Sequence, residues 1–471
     1  MINQTKVIAT IGPGCDDKKT LQSLVELGVC CFRINLSHGT KDEKIGYFER
    51  IKTLKTTRGL RPTILADLAG PKIRIRKLDE HINIKKGEAV RLSNEQEGPD
   101  IVSLSKGVRF EKINPGAKIL IDDGRLTLEV KRLVSDQTID CVAVMDGTIE
   151  NRKGVNFPGV SLNTPVLTQQ DRKDLHLSLS NGADWIALSF VRSASDYDVV
   201  TKIIKEAGYT TPVMGKIEKW EAVQDLQSIV ECFDAVMVAR GDLGVEMPIE
   251  KVPLIQKEVI EKANQAGKPV VIATQILDSM TDRPVPTRAE VSDIANAILD
   301  GADSLMVTGE TAVGKHPKKV IEVLSRVVQE TESSLDHQKD SIRPTGNKLK
   351  TANAISHAAC SVSRDQGIGV LVTMTHGGST ARMAARYRPS AKIIAMTPFR
   401  ETCRRLSIVW GIDSILVDNY ESADELPQIA NRALKKHKLI KKGERFVMTG
   451  GVPVGVPGTT NYLSVLKACR Y

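Results

Sequence analysis

Two short runs place charge at a spacing that chemistry can use. Residues 213–218 read Val-Met-Gly-Lys-Ile-Glu. Lys216 and Glu218 are two apart, so they share one face of any strand. Residues 32–37 read Phe-Arg-Ile-Asn-Leu-Ser. There Arg33, Asn35 and Ser37 share a face, and Phe32, Ile34 and Leu36 take the other. Such a polar row is costly to bury unless something polar satisfies it. Other apolar runs end in the same manner: at Asp67, with Lys72 and Arg74 just downstream; at Ala239-Arg240-Gly241-Asp242; and at Ala273-Thr274-Gln275. Two carboxylates, Glu218 and Asp242, near Lys216, Arg33 and Thr274 suit Mg²⁺, which prefers oxygen ligands and rarely takes a full protein cage. Arg and Lys beside that ion suit a phosphate and a developing oxyanion. The plain alternatives are a Lys216–Glu218 ion pair and a solvated rim.

These tips must be brought together by the elements that carry them. The first seventy residues alternate strand and helix: KVIATIG, a helix over 17–28, CCFRINLS, a helix over 41–57, then PTILADLAG. That alternation implies parallel strands joined by right-handed crossovers. The pattern breaks at Gly70. Residues 70–167 carry short alternating runs with Asp-Gly and Pro-Gly pairs, which predict hairpins and an inserted small β-barrel lid domain. Alternation resumes with WIALSFV, PVMGKIE, AVMVARGD, PVVIATQ and SLMVTGE. Three strands plus five give a (β/α)8 TIM barrel over 1–69 and 168–340, whose chemistry sits at the C-terminal ends of its strands. A polar Pro- and Gly-bearing stretch at Asp340–Lys350 marks a boundary. Residues 345–471 hold GVLVTMT, KIIAMTP, SILVD and RFVMTGG, too few for a second barrel, which predicts a doubly wound α/β domain.

Three glycine-bearing turns invite a phosphate reading. Gly309 to Lys315 follows a strand like a phosphate loop, but continues His316-Pro317 where Ser or Thr would bind Mg²⁺. A strand-to-helix turn with Pro starting the helix is the better reading. Thr375-His376-Gly377-Gly378-Ser379-Thr380 lets a ligand approach the backbone ahead of a helix, and Gly450–Asn461 is a second such segment.

Composition narrows the class. The chain has 471 residues, 41% apolar, 4% aromatic and 26% charged. No apolar run approaches the ~20 residues of a membrane helix, and the amino-terminal segment MINQTKVIATIG does not read as a secretory leader. The net charge of +9 is scattered over 66 Lys and Arg. That favours small anionic ligands and predicts no nucleic-acid partner. Eight cysteines without a CxxC pair, and eight dispersed histidines without HExxH, predict reduced thiols in the cytoplasm and no zinc site.

IATIGP, FRINLSHG, KGVNFPGV, KIE, VARGDLGVE, ATQILDSM and GETAVGKHP occur in this order along the chain. Together they resemble the pyruvate kinase family over essentially the whole length. The resemblance implies phosphoryl transfer from phosphoenolpyruvate to ADP, giving pyruvate and ATP. It assigns the divalent ion, Mg²⁺ or Mn²⁺, to Glu218 and Asp242. Lys216 would stabilise the transferring phosphoryl group and the enolate, and Arg33 would hold the substrate phosphate. Thr274 would lie near the proton-delivery path, and the backbone at Gly241 and Asp242 would meet the substrate carboxylate. Arg74 and Lys153 match positions that contact the nucleotide, and a homotetramer is implied.

One departure is informative. Many members read Asp-Thr-Lys-Gly-Pro-Glu where this chain has Asp67-Leu68-Ala69-Gly70-Pro71-Lys72. The resemblance is to a potassium-independent branch, with the Lys72 ammonium in place of the cation. Asn35, Ser37 and Asp67 are retained from the potassium site. Thr375 to Thr380 and Gly450–Asn461 match the family's site for a phosphorylated effector, a sugar phosphate or AMP. The alternative is a non-catalytic, sugar-phosphate-sensing member of the same family. A further alternative is another barrel enzyme acting on phosphoenolpyruvate or a keto acid.

Overall fold

The computed structural model describes residues 3–335 and 351–469, apart from 79, 97, 99, 100 and 457. The boundary expected at Asp340–Lys350 lies outside the described residues.

Three strands open the chain: β1 (Lys6–Thr10), β2 (Val29–Asn35) and β3 (Thr63–Asp67). β1 and β3 are buried at every position, the signature of parallel strands covered on both faces. The first helix, Lys18–Glu26, is capped by Asp17, whose carboxylate accepts from Thr20 N. The second, expected over 41–57, stops at Lys52. Its threonine-rich tail folds back on itself: Thr53 Oγ1 donates to Arg50 O (2.8 Å), and Thr56 Oγ1 to Leu60 O (2.9 Å). Such local bonds compete with helix continuation.

The insertion supplies β4 (Ile82–Ile84), β5 (Ala89–Ser93), β6 (Ile101–Ser103), β7 (Lys118–Ile121), β8 (Leu126–Ser135), β9 (Thr138–Ala143), β10 (Gly147–Ile149) and β11 (Val155–Asn156). Six of them form one sheet in the order β11-β7-β8-β9-β5-β6, and β10 pairs with β4. The sheet curls round its own core of residues such as Leu92, Phe110, Leu128 and Phe157. Among the described residues no ladder zips its edges β11 and β6 together, and isolated bridges span the gap, Arg74 with Gly154 and Ile75 with Leu104. The lid is therefore a strongly curved sheet plus a two-stranded one, closed into a barrel at those two points.

Five strands complete the main domain: β12 (Trp185–Leu188), β13 (Val213–Ile217), β14 (Ala235–Ala239), β15 (Val270–Ala273) and β16 (Ser304–Val307). With β1 to β3 they close a parallel eight-stranded barrel, β1 pairing with both β2 and β16. Inside it sit Ile8, Cys31, Leu65, Trp185, Met214, Met237, Val271 and Met306.

The last domain is an open sheet of β17 (Val370–Met374), β18 (Lys392–Thr397), β19 (Ile412–Leu416), β20 (Arg445–Gly451) and β21 (Thr460–Lys467), in the order β19-β18-β17-β20-β21. Four strands are parallel as expected. The fifth, β21, runs antiparallel along β20 and takes in Asn461. This domain seals the base of the barrel. Ile408 joins the barrel-interior cluster, Ser304 Oγ donates to Ile408 O (2.6 Å), and Trp185 Nε1 donates to Arg405 O (3.2 Å). Only the opposite end, where the strands finish, is left to the lid and to ligands.

Candidate active site

Strand alternation builds the site in one step. Cys31, Leu65 and Met214 belong to the apolar interior. Two residues further on, the same faces of β2, β3 and β13 present Arg33, Asp67 and Lys216. Register sets these tips side by side, with Asn35 opposite Asp67 and Asp67 opposite Ala187.

The charged groups make one network. Arg33 Nε donates to Asp67 Oδ2 at 2.7 Å, and its Nη1 to Thr10 Oγ1 at 3.2 Å. Lys216 Nζ stands 3.3 Å from Asp67 Oδ1 and 2.8 Å from Glu218 Oε1, and donates to Ser189 Oγ at 2.9 Å. Phe190 N donates to Glu218 Oε2 at 2.8 Å. Across the cleft, Lys72 Nζ donates to Asp242 Oδ1 at 2.8 Å. Gly241 N donates to Thr274 Oγ1 at 2.9 Å, and that hydroxyl donates to Ala273 O at 2.6 Å. Thr274, Gln275 and Phe190 adopt left-handed backbone at φ +64°, +52° and +57°. Non-glycine residues held there mark a rim under strain.

Asp67, Glu218 and Asp242 face Arg33, Lys216 and Lys72, so three carboxylates meet three cations. Burial works against the charge of Lys216, but Asp67 and Glu218 outweigh it and raise its pKa above the ordinary lysine value. Burial likewise opposes Asp67, yet Lys216 and Arg33 hold its carboxyl below the usual range. Glu218 goes the other way. Burial, reinforced by the charge of Asp242, raises its pKa despite Lys216. Its Oε1 is close to the ammonium but accepts no directed hydrogen bond. A fully buried carboxylate with a raised pKa, facing a second carboxylate, suits a divalent cation. Among the described residues no group of three or more His, Cys, Asp and Glu is arranged to hold a metal. An ion at Glu218 and Asp242 would thus draw its remaining ligands from water and substrate, as Mg²⁺ commonly does.

The other expected positions separate. Asn35 Oδ1 accepts from Ser37 N (3.1 Å), while Lys72 bonds to Asp242 and not to that pair. Leu68 is fully buried. Arg74 and Lys153 lie together on the two chain segments that enter and leave the lid. Arg74 pairs with Gly154, and Lys153 bridges Asp122 (3.1 Å) and Glu150 (3.2 Å). Three contributors escaped the sequence reading: Thr10, Ser189 and the N–H of Phe190. Thr10 and Ser189 carry the same signal as the others, a polar residue ending an apolar run. A backbone N–H carries none.

Gly309–Lys315 is not a phosphate cradle. A Cβ on Gly314 would lie 2.2 Å from Glu310 O, so the glycine serves a tight turn. Pro317 opens the helix Pro317–Ser333 as expected. In the last domain, a cavity of about 280 Å³ is lined by Thr375, His376, Gly377, Ser379 and Thr380 on one side and by 454–456 and 458–460 on the other. Between the lining residues Gly377 and Ser379, Gly378 turns the backbone at φ +85° and donates its N–H to Thr375 Oγ1 (2.9 Å). Thr380 and Thr460 hydroxyls join the two sides at 2.8 Å.

Two family models match the chain: pyruvate kinase, barrel domain, over residues 2–321, and pyruvate kinase, alpha/beta domain, over 353–466. A pyruvate kinase of Thermotoga maritima is 39% identical, over 99% of this chain and 100% of its own. Pyruvate kinase 2 of Synechocystis is 38% identical, over 98% of this chain and 79% of its own. The crystal structure of a pyruvate kinase from Cryptosporidium parvum superposes with a TM-score of 0.92 at 32% identity, covering 99% of this chain and 96% of that one.

Proposed function

Because the chain belongs to the pyruvate kinase family, we propose that it transfers the phosphoryl group of phosphoenolpyruvate to ADP, giving pyruvate and ATP. The observation that carries this reading is Lys216, set between Asp67 and Glu218 on the open end of the barrel. Phosphoryl transfer needs positioning and charge neutralisation more than covalent help. Arg33, aimed by Asp67, holds the phosphate. Lys216 faces the moving phosphoryl group and keeps its proton, so it stabilises the enolate by charge. The Gly241–Asp242 backbone takes the carboxylate, and the Thr274 hydroxyl lies beside C3, where a proton must arrive. Arg74 and Lys153 contact the nucleotide on the lid, which excludes water when it closes.

Glu218 and Asp242 would hold Mg²⁺, or Mn²⁺. When bound, the ion supplies charge neutralisation for substrate oxygens. Potassium is not required in this reading. Leu68 offers no side-chain oxygen, and the Lys72 ammonium already stands in the same cleft. Near-zero turnover in tetramethylammonium buffer with Mg²⁺, restored by potassium, would sink that assignment. The cavity at Thr375–Thr380 takes a phosphorylated effector, and the enzyme works in the cytoplasm with its eight cysteines as free thiols. It assembles as a homotetramer, which would cover exposed apolar side chains such as Ile249, Leu254, Val285 and Val313.

A coupled assay for pyruvate, with and without ADP, tests the whole. ADP-dependent product is expected. No product would leave a non-catalytic sensor, and product without ADP another barrel enzyme. The same assay over a panel of sugar phosphates and AMP reads the effector.

A further inference from the structure

The chain leaves the barrel for the lid through Gly70–Arg74 and returns through Lys153–Phe157. Both segments grip one short helix, Arg240–Glu246, at its opposite ends. Lys72 Nζ bonds Asp242 Oδ1 at its start (2.8 Å), and Asn156 Nδ2 bonds Glu246 Oε1 at its finish (3.0 Å). The helix itself is fixed to the barrel. Gly241 N bonds Thr274 Oγ1, Arg240 Nη2 bonds Thr274 O (2.7 Å), and Lys219 Nζ shares Glu246 Oε1 (2.7 Å).

The two grips differ in kind. Glu246 has no exposed side-chain surface and Asn156 is 6% exposed, so that end is a buried anchor. Lys72 and Asp242 are each about a quarter exposed, and Asp242 is also one of the two carboxylates assigned to the divalent ion. Lys72 holds Asp242 by Oδ1, and a dication drawing on the same carboxylate repels the ammonium and weakens that pair. A small cavity of about 40 Å³, lined by Lys72, Asn156, Lys219 and Glu246, lies between the segments and the barrel.

We propose that Lys72–Asp242 is a metal-sensitive latch: it docks the lid in the metal-free enzyme, competes with the divalent ion for Asp242, and lets the lid pivot on the Asn156–Glu246 anchor when the ion binds. This rests on the reading of Glu218 and Asp242 as the metal carboxylates. Lys72 and Asn156 are then positioning residues for the nucleotide groups on the lid. Linkage makes the effect reciprocal, so whatever loosens the docked lid must tighten metal binding.

The test is Mn²⁺ titration without substrates, on the wild type, Lys72→Met, Lys72→Arg and Asn156→Ala, with amide exchange of residues 70–75 and 153–157 measured alongside. Lys72→Met is expected to bind Mn²⁺ at least about fivefold tighter, with Lys72→Arg near wild type. Asn156→Ala removes no charge and cuts a pivot that both lid positions keep, so it is expected to bind Mn²⁺ as the wild type does. Mn²⁺ is expected to speed exchange at 70–75 in the wild type and to change nothing there in Lys72→Met. Unchanged or weaker binding in Lys72→Met overturns the latch. So does wild-type exchange at 70–75 indifferent to Mn²⁺, since tightening in Lys72→Met would then be mere charge removal. If Asn156→Ala does not fold, the exchange comparison decides. A wild type that binds no Mn²⁺ overturns the metal assignment and the latch with it.

Discussion

Glu218 is a fully buried carboxyl with a raised pKa at the site proposed for the metal, and Glu218→Gln isolates it. The side chain has no exposed surface, Oε1 accepts no directed hydrogen bond, and the pKa is raised by burial and by Asp242. A carboxyl whose folded pKa lies above its unfolded one opposes folding at neutral pH. The penalty is fully present above the folded value and disappears as pH falls below the unfolded value, where both states are protonated. Glutamine keeps the shape and can still accept from Phe190 N. The metal-free variant should therefore be at least as stable as the wild type at neutral pH. Any gain would appear as a rise in melting temperature, by roughly 1 °C per kcal/mol for a chain of this length. That advantage should fade on acidification. Turnover should fall by about a thousandfold, as when a group stabilising developing charge is removed, and added Mn²⁺ should no longer raise the melting temperature. Thermal unfolding with and without Mn²⁺, together with the coupled assay, reads all of this. A metal-free variant melting several degrees below the wild type would refute the view of Glu218 as an under-compensated charge. Retained turnover would refute its metal role.

Asp67→Asn has the opposite sign. Its carboxyl is held ionised between Arg33 and Lys216, and stability from a lowered pKa is present above the ordinary carboxylate value and lost as pH falls through the folded one. Leaving two buried cations without it should cost about 3–5 kcal/mol and flatten the acid limb of melting temperature against pH. Gly70→Ala sets a Cβ 2.7 Å from Phe190 Cδ2 and 2.9 Å from Ser189 Cβ at φ +72°. Displacing those two partners of Glu218 and Lys216 should cut turnover by about a hundredfold, measured at saturating substrates. Gly378→Ala puts a Cβ 2.9 Å from Leu406 Cδ2 at φ +85°. It should abolish the response to the phosphorylated effector proposed for that cavity, with turnover in its absence unchanged.

Much of this was legible before any coordinates. Lys216 and Glu218 betray themselves because an apolar strand that ends in charge must end at a place where charge is used. Arg33 and Asp67 follow the same rule. The lid was legible from the switch of period at Gly70. What the pattern missed has physical reasons. Thr53 and Thr56 bond locally and end a helix that periodicity extended. β21 follows a glycine-rich turn, and its alternation is weak beside that of the parallel strands. Lys72 sits outside any periodic element, so nothing in the sequence fixes which anion it meets.

The sequence alone determined the barrel, the order of its strands and the chemical character of each tip, because side-chain alternation and strand–helix spacing are local properties of a chain. Only the tertiary structure decided the pairings. Arg33 with Asp67, Lys216 with Asp67, and Lys72 against Asp242 join residues 34 to 170 positions apart. Which charge meets which depends on barrel closure and on where the lid comes to rest, and those are set by the sum of long-range contacts.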